Sequence, residues 1–577
     1  MSTAWVVLFL AAALAAACGA EAALVEHTFV VSQIEMHHMC NDSLVTLVNG
    51  QFPGPTIEVT EGDSVVVHVI NKSPLGVTIH WHGVKQHNNC WADGPAMITQ
   101  CPIQPNKNFT YRFNVIGQEG TLWWHAHVGF LRATIHGALI IRPRLGPNSY
   151  PFPKPDWEVP IVIGEWFDMD LFELYEKTEN RIYGDIPLSP TINGLLGDFN
   201  NCSGVTEDSY KLDVVQGKTY LLRIVNAAID KAYNLKIAGH KFTVVAADAN
   251  YVKPYPRKKK KNYVKPYTTD IIAIASGETF DALVIADAPP GRYYMVAQAV
   301  QTTEPITQKR VLMSRGIVSY NPMKWSGDDT LAIMAPELPD WHDERPSFYF
   351  HGNLTSLLPQ TVPSNIDEHM FMALRSGDNC LYAGSPHCKV TMINNISFQH
   401  PSAMPLLQAH YNNNMRNISS LIEFPRAPPM VNFTQTPTLT ATMVKNLRYN
   451  STVEIVLQGP PGEMSYSNPM HLHGHDFFIL AQGIGYYDAE KDVPKYNLVN
   501  PSVKNTAHVP MYGWTVIRFV ASNPGVWFFH CHTEHHSSSG MAMAFVVEDG
   551  PTVETTLSPP PTDYPSCDGH NSIVEYV

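Results

Sequence analysis

Four short stretches of the chain carry paired histidines: His80-Trp81-His82, His125-Ala126-His127, His471-Leu472-His473 and His530-Cys531-His532. In an extended strand, residues i and i+2 face the same way. Each pair can therefore present two imidazoles to one metal centre. The last stretch does more, because Cys531 faces away from His530 and His532. A thiolate, the imidazole of His536 and the weak thioether of Met541 suit an electron-transfer copper. One tripeptide would then wire that copper to a second cluster behind it. A histidine-rich loop around a buried structural cysteine accounts for one such stretch, but not for four.

Strands must position these groups. Val77-Thr78-Ile79 precedes the first pair and Leu122-Trp123-Trp124 the second, and both read as buried strand. Similar short runs recur, among them Val65-Val66-Val67-His68-Val69-Ile70 and Val516-Ile517-Arg518-Phe519-Val520, with Gly, Pro and Asn between them. This predicts an all-β protein of packed sandwiches. Two pairs lie near the start and two near the end, so the fold must bring the ends together. A net charge of −13 argues against nucleic-acid binding. Residues 1–23, with the apolar run Trp5 to Ala17 and the small residues Ala20-Glu21-Ala22, read as a secretory signal. No other stretch is long enough to span a bilayer. Nine Asn-x-Ser/Thr sequons, at Asn41, Asn71, Asn108, Asn201, Asn353, Asn395, Asn417, Asn432 and Asn450, agree with secretion.

The chain resembles the multicopper oxidases, and most closely the plant laccases. The resemblance rests on the four histidine motifs together with Val48-Asn49-Gly50-Gln51-Phe52-Pro53-Gly54-Pro55, Trp91-Ala92-Asp93-Gly94-Pro95, Gln100-Cys101-Pro102-Ile103, Arg132-Ala133-Thr134-Ile135-His136-Gly137-Ala138 and Asn523-Pro524-Gly525-Val526-Trp527. It implies three cupredoxin-like Greek-key β-sandwich domains, set here at 24–145, 157–322 and 365–550, with a C-terminal tail at 551–577. The copper motifs fall in the first and third, leaving the middle domain as spacer and pocket wall. The resemblance also implies one type 1, one type 2 and two type 3 coppers. His80 and His471 match the type 2 ligands, and His82, His125, His127, His473, His530 and His532 those of the type 3 pair. Cys531, His536 and an axial Met541 match type 1. The implied function is a monomeric apoplastic enzyme that oxidises small phenols, such as lignin precursors, and reduces O2 to water. Electrons would enter near His536 and pass through Cys531, with Asp93 and Glu534 as proton relays or as acids that orient the ligating histidines.

One position departs from the family pattern. Asn468 stands where the second type 1 histidine belongs, in Asn468-Pro469-Met470-His471-Leu472-His473. An amide oxygen is a hard, neutral donor, poorly matched to a copper–thiolate site. Three outcomes stay open: Asn468 or water coordinates and the site works in altered form, His475 moves in, or the site is crippled. The last would make the chain an inactive cell-wall glycoprotein. An ascorbate oxidase would share every copper motif. A ferroxidase would need carboxylates beside His536, and the sequence locates none. The resemblance pairs Cys40 with Cys202 and Cys101 with Cys567. Cys380 and Cys388 are close enough to close a small loop, which leaves Cys90 as a buried free thiol. Asn250-Tyr251-Val252-Lys253-Pro254-Tyr255 recurs at 262–267 around a run of cations, which reads as a duplicated, solvated loop.

Overall fold

The computed structural model describes residues 22–38, 41–167, 171, 188–198, 201–202, 205–206, 209–252, 267–300, 311–320, 332–378, 389–425, 439–459 and 467–567. The signal segment, the Cys40–Cys202 and Cys380–Cys388 pairings and most of the repeated hexapeptide lie outside these residues. The expected all-β class is found. Strands dominate, and the helices are short, Arg345–Gly352 and Leu406–Tyr411 among them.

The alternation read from the sequence produces the sandwiches. In the strand Ser64–Asn71, Val65, Val67 and Val69 are fully buried and the residues between them are half-exposed. That strand lies in a four-stranded sheet with Asn41–Val48, Leu24–His38 and Asn108–Asn114. The facing four-stranded sheet contains Ile57–Thr60, His136–Arg142, Gly120–Ala126 and Ile79–His82. Phe29, Trp81, Trp124 and Ile141 share the core between them. A second core, with Ile161, Tyr233, Phe280 and Tyr320, belongs to a seven-stranded and a five-stranded sheet. A third, with Met372, Ile455, Trp527 and Phe529, is wrapped by a thirteen-stranded sheet.

The C-terminal segment returns to the first sandwich. The Trp91 indole N–H donates to Ser558 O at 2.7 Å, and the Tyr564 hydroxyl donates to Thr99 O. Cys101 and Cys567 form a disulfide across 466 residues of sequence. Closing so long a loop restricts the unfolded chain and holds the ends together. Cys90 is the buried free thiol expected, donating to Val526 O at 3.0 Å. Two sequons do not fit a glycan coat. Asn71 is fully buried, its amide donating to Leu75 O and Ile103 O at 2.7 Å, and Asn395 is buried as well. Asn108, Asn353, Asn417 and Asn450 are exposed.

The first and middle sandwiches meet over buried charge. The Arg223 guanidinium lies 2.7 Å from Glu158 and 3.2 Å from Asp281, and donates to Thr121 Oγ1 at 2.9 Å. Removing only the cation would leave the buried Asp281 without an ionic partner, while Glu158 keeps Arg142 at 2.6 Å. Arg223→Met is therefore expected to lose about 3–5 kcal/mol of stability, measured by denaturant unfolding.

Candidate metal centre

Strand register brings the histidines together. In the antiparallel pair of Ile79–His82 with Gly120–Ala126, His80 sits directly opposite His125. In the pair of Asn468–Leu472 with Gly525–Cys531, His471 sits opposite His530. His127, His473 and His532 follow the ends of their strands by one residue. Trp81 and Trp124 alternate with the histidines and anchor the same strands in the first core. All eight imidazoles gather where the first and third sandwiches meet. Nitrogens of His80, His471 and His473 lie within 4.8 Å of one another, as do those of His80, His82 and His125, and those of His127, His473 and His530. His532 completes the group, its ring centre 4.8 Å from that of His82.

Hydrogen bonds divide the two nitrogens of each ring. Carbonyl and carboxylate oxygens only accept, so the nitrogen facing one carries the proton. His80 Nδ1–H donates to Asp93 O at 2.7 Å, and His125 Nδ1–H to Ala126 O at 2.8 Å. His471 Nδ1–H donates to Asn505 O at 2.8 Å, His473 Nδ1–H to the Asp93 carboxylate at 2.9 Å, and His530 Nδ1–H to Cys531 O at 2.9 Å. His82 is reversed: its Nε2–H donates to Asn505 Oδ1 at 3.1 Å. His532 Nδ1 meets Ser276 Oγ at 3.2 Å. The opposite nitrogens of His80, His82, His125, His471 and His532 are buried and unpartnered. Nε2 of His530 faces Nε2 of His473 at 3.2 Å and of His127 at 3.4 Å. Such a convergence of lone pairs is costly unless cations fill it. The all-imidazole donor set suits copper.

Burial enforces that neutrality. His82, His125, His127, His471, His473, His530 and His532 are all held well below the ordinary histidine range by burial, reinforced by neighbouring imidazoles and for most of them by Arg132. Neutral imidazole is the metal-binding form. Burial pushes the Asp93 carboxyl up, so it holds a proton more readily than a free acid. Glu534 is also raised by burial, against the pull of Arg132, whose guanidinium lies 3.2 Å away.

The Cys531 thiol lies on the other face of the strand Gly525–Cys531. Cys531 pairs with Met470, and Asn468, two residues along, faces the same side. Cys531 Sγ lies 3.5 Å from His536 Nδ1 and 3.8 Å from Asn468 Oδ1, and Met541 is buried beside them in the same core. The departure seen in the sequence thus faces the thiol directly. His475 does not move in: its Nδ1–H donates to His473 O, and its ring packs on Phe519 and Trp527. Burial pushes the Cys531 thiol up to about 12, so a metal must displace its proton.

Several residues at the site carry no motif. Ser276 reaches His532 from the middle sandwich, and Asn505 and Thr506 hold His82 and His471. A carboxylate does sit near His536: Asp230 pairs with His535 at 3.2 Å, and its charge acts on His536 as well. These contacts join segments far apart in sequence, so no local pattern marks them.

Comparison with known proteins agrees with this geometry. Models of the multicopper oxidase family match residues 30–146, 158–259 with 260–322, and 398–551. Laccase-15 of Oryza sativa subsp. japonica is 52% identical, covering 94% of this chain and 94% of its own length. Laccase-19 of the same subspecies is 48% identical, covering 96% and 95%. Among solved structures, the laccase from Botrytis aclada superposes with a TM-score of 0.72 at 27% identity, over 94% of this chain and 90% of that one. Fet3p, described as a multicopper oxidase that functions in iron import, gives the same TM-score at 23% identity over 91% and 90%, a likeness of fold alone.

One buried carboxyl next to Ser467, the residue before the strand Asn468–Leu472, gives a pH prediction. Glu344 meets the backbone amides of Met511 and Ser467, and burial raises it from 4.5 to about 7. The folded chain therefore binds this proton more tightly than the unfolded chain. The cost is absent below pH 4.5, grows as pH rises, and is complete above about 7. Glu344→Gln should match the parent at pH 4 and exceed its stability at pH 8 by roughly 1–3 kcal/mol, compared by unfolding at both values.

Proposed function

The chain belongs to the multicopper oxidase family and is a laccase-like oxidoreductase, and we propose that it oxidises small phenols one electron at a time while reducing O2 to water. The observation that carries this reading is the inward convergence of eight buried imidazoles, joined to Cys531 through His530 and His532. We assign His80 and His471 to a type 2 copper, the other six histidines to a type 3 pair, and Cys531, His536, Met541 and Asn468 to type 1, in three cupredoxin-like domains near the boundaries given above. Cys531 and His536 would hold a copper that supplies one-electron acceptance, and the eight histidines would hold coppers that supply the reduction of O2. Cys531 provides the covalent path, with its backbone leading to His530 on one side and His532 on the other. Separate sites let a one-electron donor feed a multi-electron acceptor.

Asn468 turns its amide oxygen to the thiol at the distance of a shared ligand position, which favours a working but altered type 1 site over an empty one. Asp93 fixes the orientation of both His80 and His473, and its raised carboxyl can hold a proton beside them. Glu534 stands two residues beyond His532, paired with Arg132, which itself donates to His532 O at 2.8 Å. It is the second relay candidate. We propose secretion to the apoplast as a monomer, the exposed sequons supporting secretion. Among the described residues, no helix is long and apolar enough to cross a membrane.

Oxygen uptake by the copper-loaded protein tests the reading. A monomeric phenol should drive uptake and ascorbate should not compete with it; preference for ascorbate would overturn the substrate assignment. Asp93→Asn should slow uptake about 10–100-fold, and an unchanged rate would remove Asp93 from proton delivery.

A further inference from the structure

Behind His82 and His471 lies a buried charged cluster that the oxidase chemistry leaves unused. Lys504 is almost fully buried, its ammonium 3.0 Å from Asp248, 3.1 Å from Glu278 and over the Phe280 ring. Glu278 also accepts from the Ala275 amide at 2.7 Å and pairs with His351 Nε2 at 2.9 Å. His351 stacks on His508 with ring centres 4.4 Å apart. Burying this many polar groups is expensive, and groups so placed carry more than local packing.

The Asp248 carboxylate is where the cluster touches the metal centre. Its Oδ1 accepts from the Thr279 amide at 3.0 Å. Its Oδ2 accepts from the backbone amides of Asn505 and Thr506 at 3.2 and 3.1 Å. Those two residues are the ones that hold the ligands: Asn505 O accepts from His471 Nδ1–H, and Asn505 Oδ1 and Thr506 Oγ1 both face His82 Nε2. The corner is seated tightly. A Cβ on Gly83, the residue after His82, would come within 2.5 Å of the Asn505 amide. Asp248 itself adopts a left-handed φ of 46°, a conformation Asp and Asn tolerate best among residues with a side chain.

We propose that Asp248, from the middle sandwich that supplies no ligand, is a positioning residue for the copper cluster, building the Asn505–Thr506 corner that aims His471 of the type 2 site and His82 of the type 3 pair before any metal arrives. This rests on the copper assignment above. It gives the middle domain a part in the metal centre beyond spacing.

Asp248→Asn separates the charge from the backbone, because Asn keeps the left-handed turn but puts an amide N–H where two acceptor oxygens are needed. Full-length parent and variant, loaded with copper, are dialysed against a chelator while copper is counted and the type 2 signal followed by electron paramagnetic resonance. The variant should lose copper from the histidine cluster, type 2 included, at least about tenfold faster and keep its type 1 copper. Equal loss from parent and variant, or parallel loss of every copper in the variant, would overturn the proposal. Amide exchange of the metal-free parent gives an independent measurement if the variant does not fold. The Asn505 and Thr506 amides should exchange as slowly as the core strand Gly513–Val520; exchange at the rate of exposed loops would refute a preformed corner. A parent that binds no copper would fail the underlying assignment instead, and the exchange result would still decide the role of Asp248.

Discussion

Everything in this molecule depends on burying eight imidazoles at one point with their free nitrogens turned inward. A buried imidazole with neither nitrogen satisfied is costly, and a protonated one cannot bind metal. The chain meets both conditions with oxygen acceptors. Backbone carbonyls of Asp93, Ala126, Asn505 and Cys531, the Asp93 carboxylate and the Asn505 amide each fix one ring. The acceptor selects the tautomer, and the tautomer decides which nitrogen is free. Asp93 and Asn505 each serve two rings: the backbone and side chain of Asp93 serve His80 and His473, and those of Asn505 serve His471 and His82.

Those acceptors come from both ends of the chain, so the centre is only as fixed as the contacts between sandwiches. Three kinds hold it. A disulfide and the returning C-terminal segment tie residues 557–567 to the first sandwich. Arg132 reaches Glu534 and His532 O from the first sandwich, beside the carbonyl of Ile229 from the middle one. Asp248 and Lys504 join the middle sandwich to the third. The Arg132 and Asp248–Lys504 contacts are shielded from water, where electrostatic contacts are least screened.

Much of this was legible in the sequence. The His-x-His spacing gave the shared face, and the alternating valines of residues 65–70 gave the strand and its buried side. The motifs near Trp91 and Asn523 carried the family resemblance that the 52% identical rice relative bears out. What stayed hidden was long-range. Nothing near Asp248 or Ser276 marks a residue that supports a histidine more than 200 positions away, because such contacts leave no local period. Two of the nine sequons showed the converse error. Asn71 and Asn395 satisfy a local pattern, yet the fold buries both.

Asn468 is the point at which family likeness and local chemistry pull apart, since its oxygen occupies the side of Cys531 where an imidazole is expected. The most direct measurement is the visible absorption of purified copper-loaded protein, with copper counted on the same sample. The account predicts an intense thiolate-to-copper band and about four coppers per chain. About three coppers with no such band would contradict it: the histidine cluster would stand without its electron donor, and the oxidase reading would fail at Asn468.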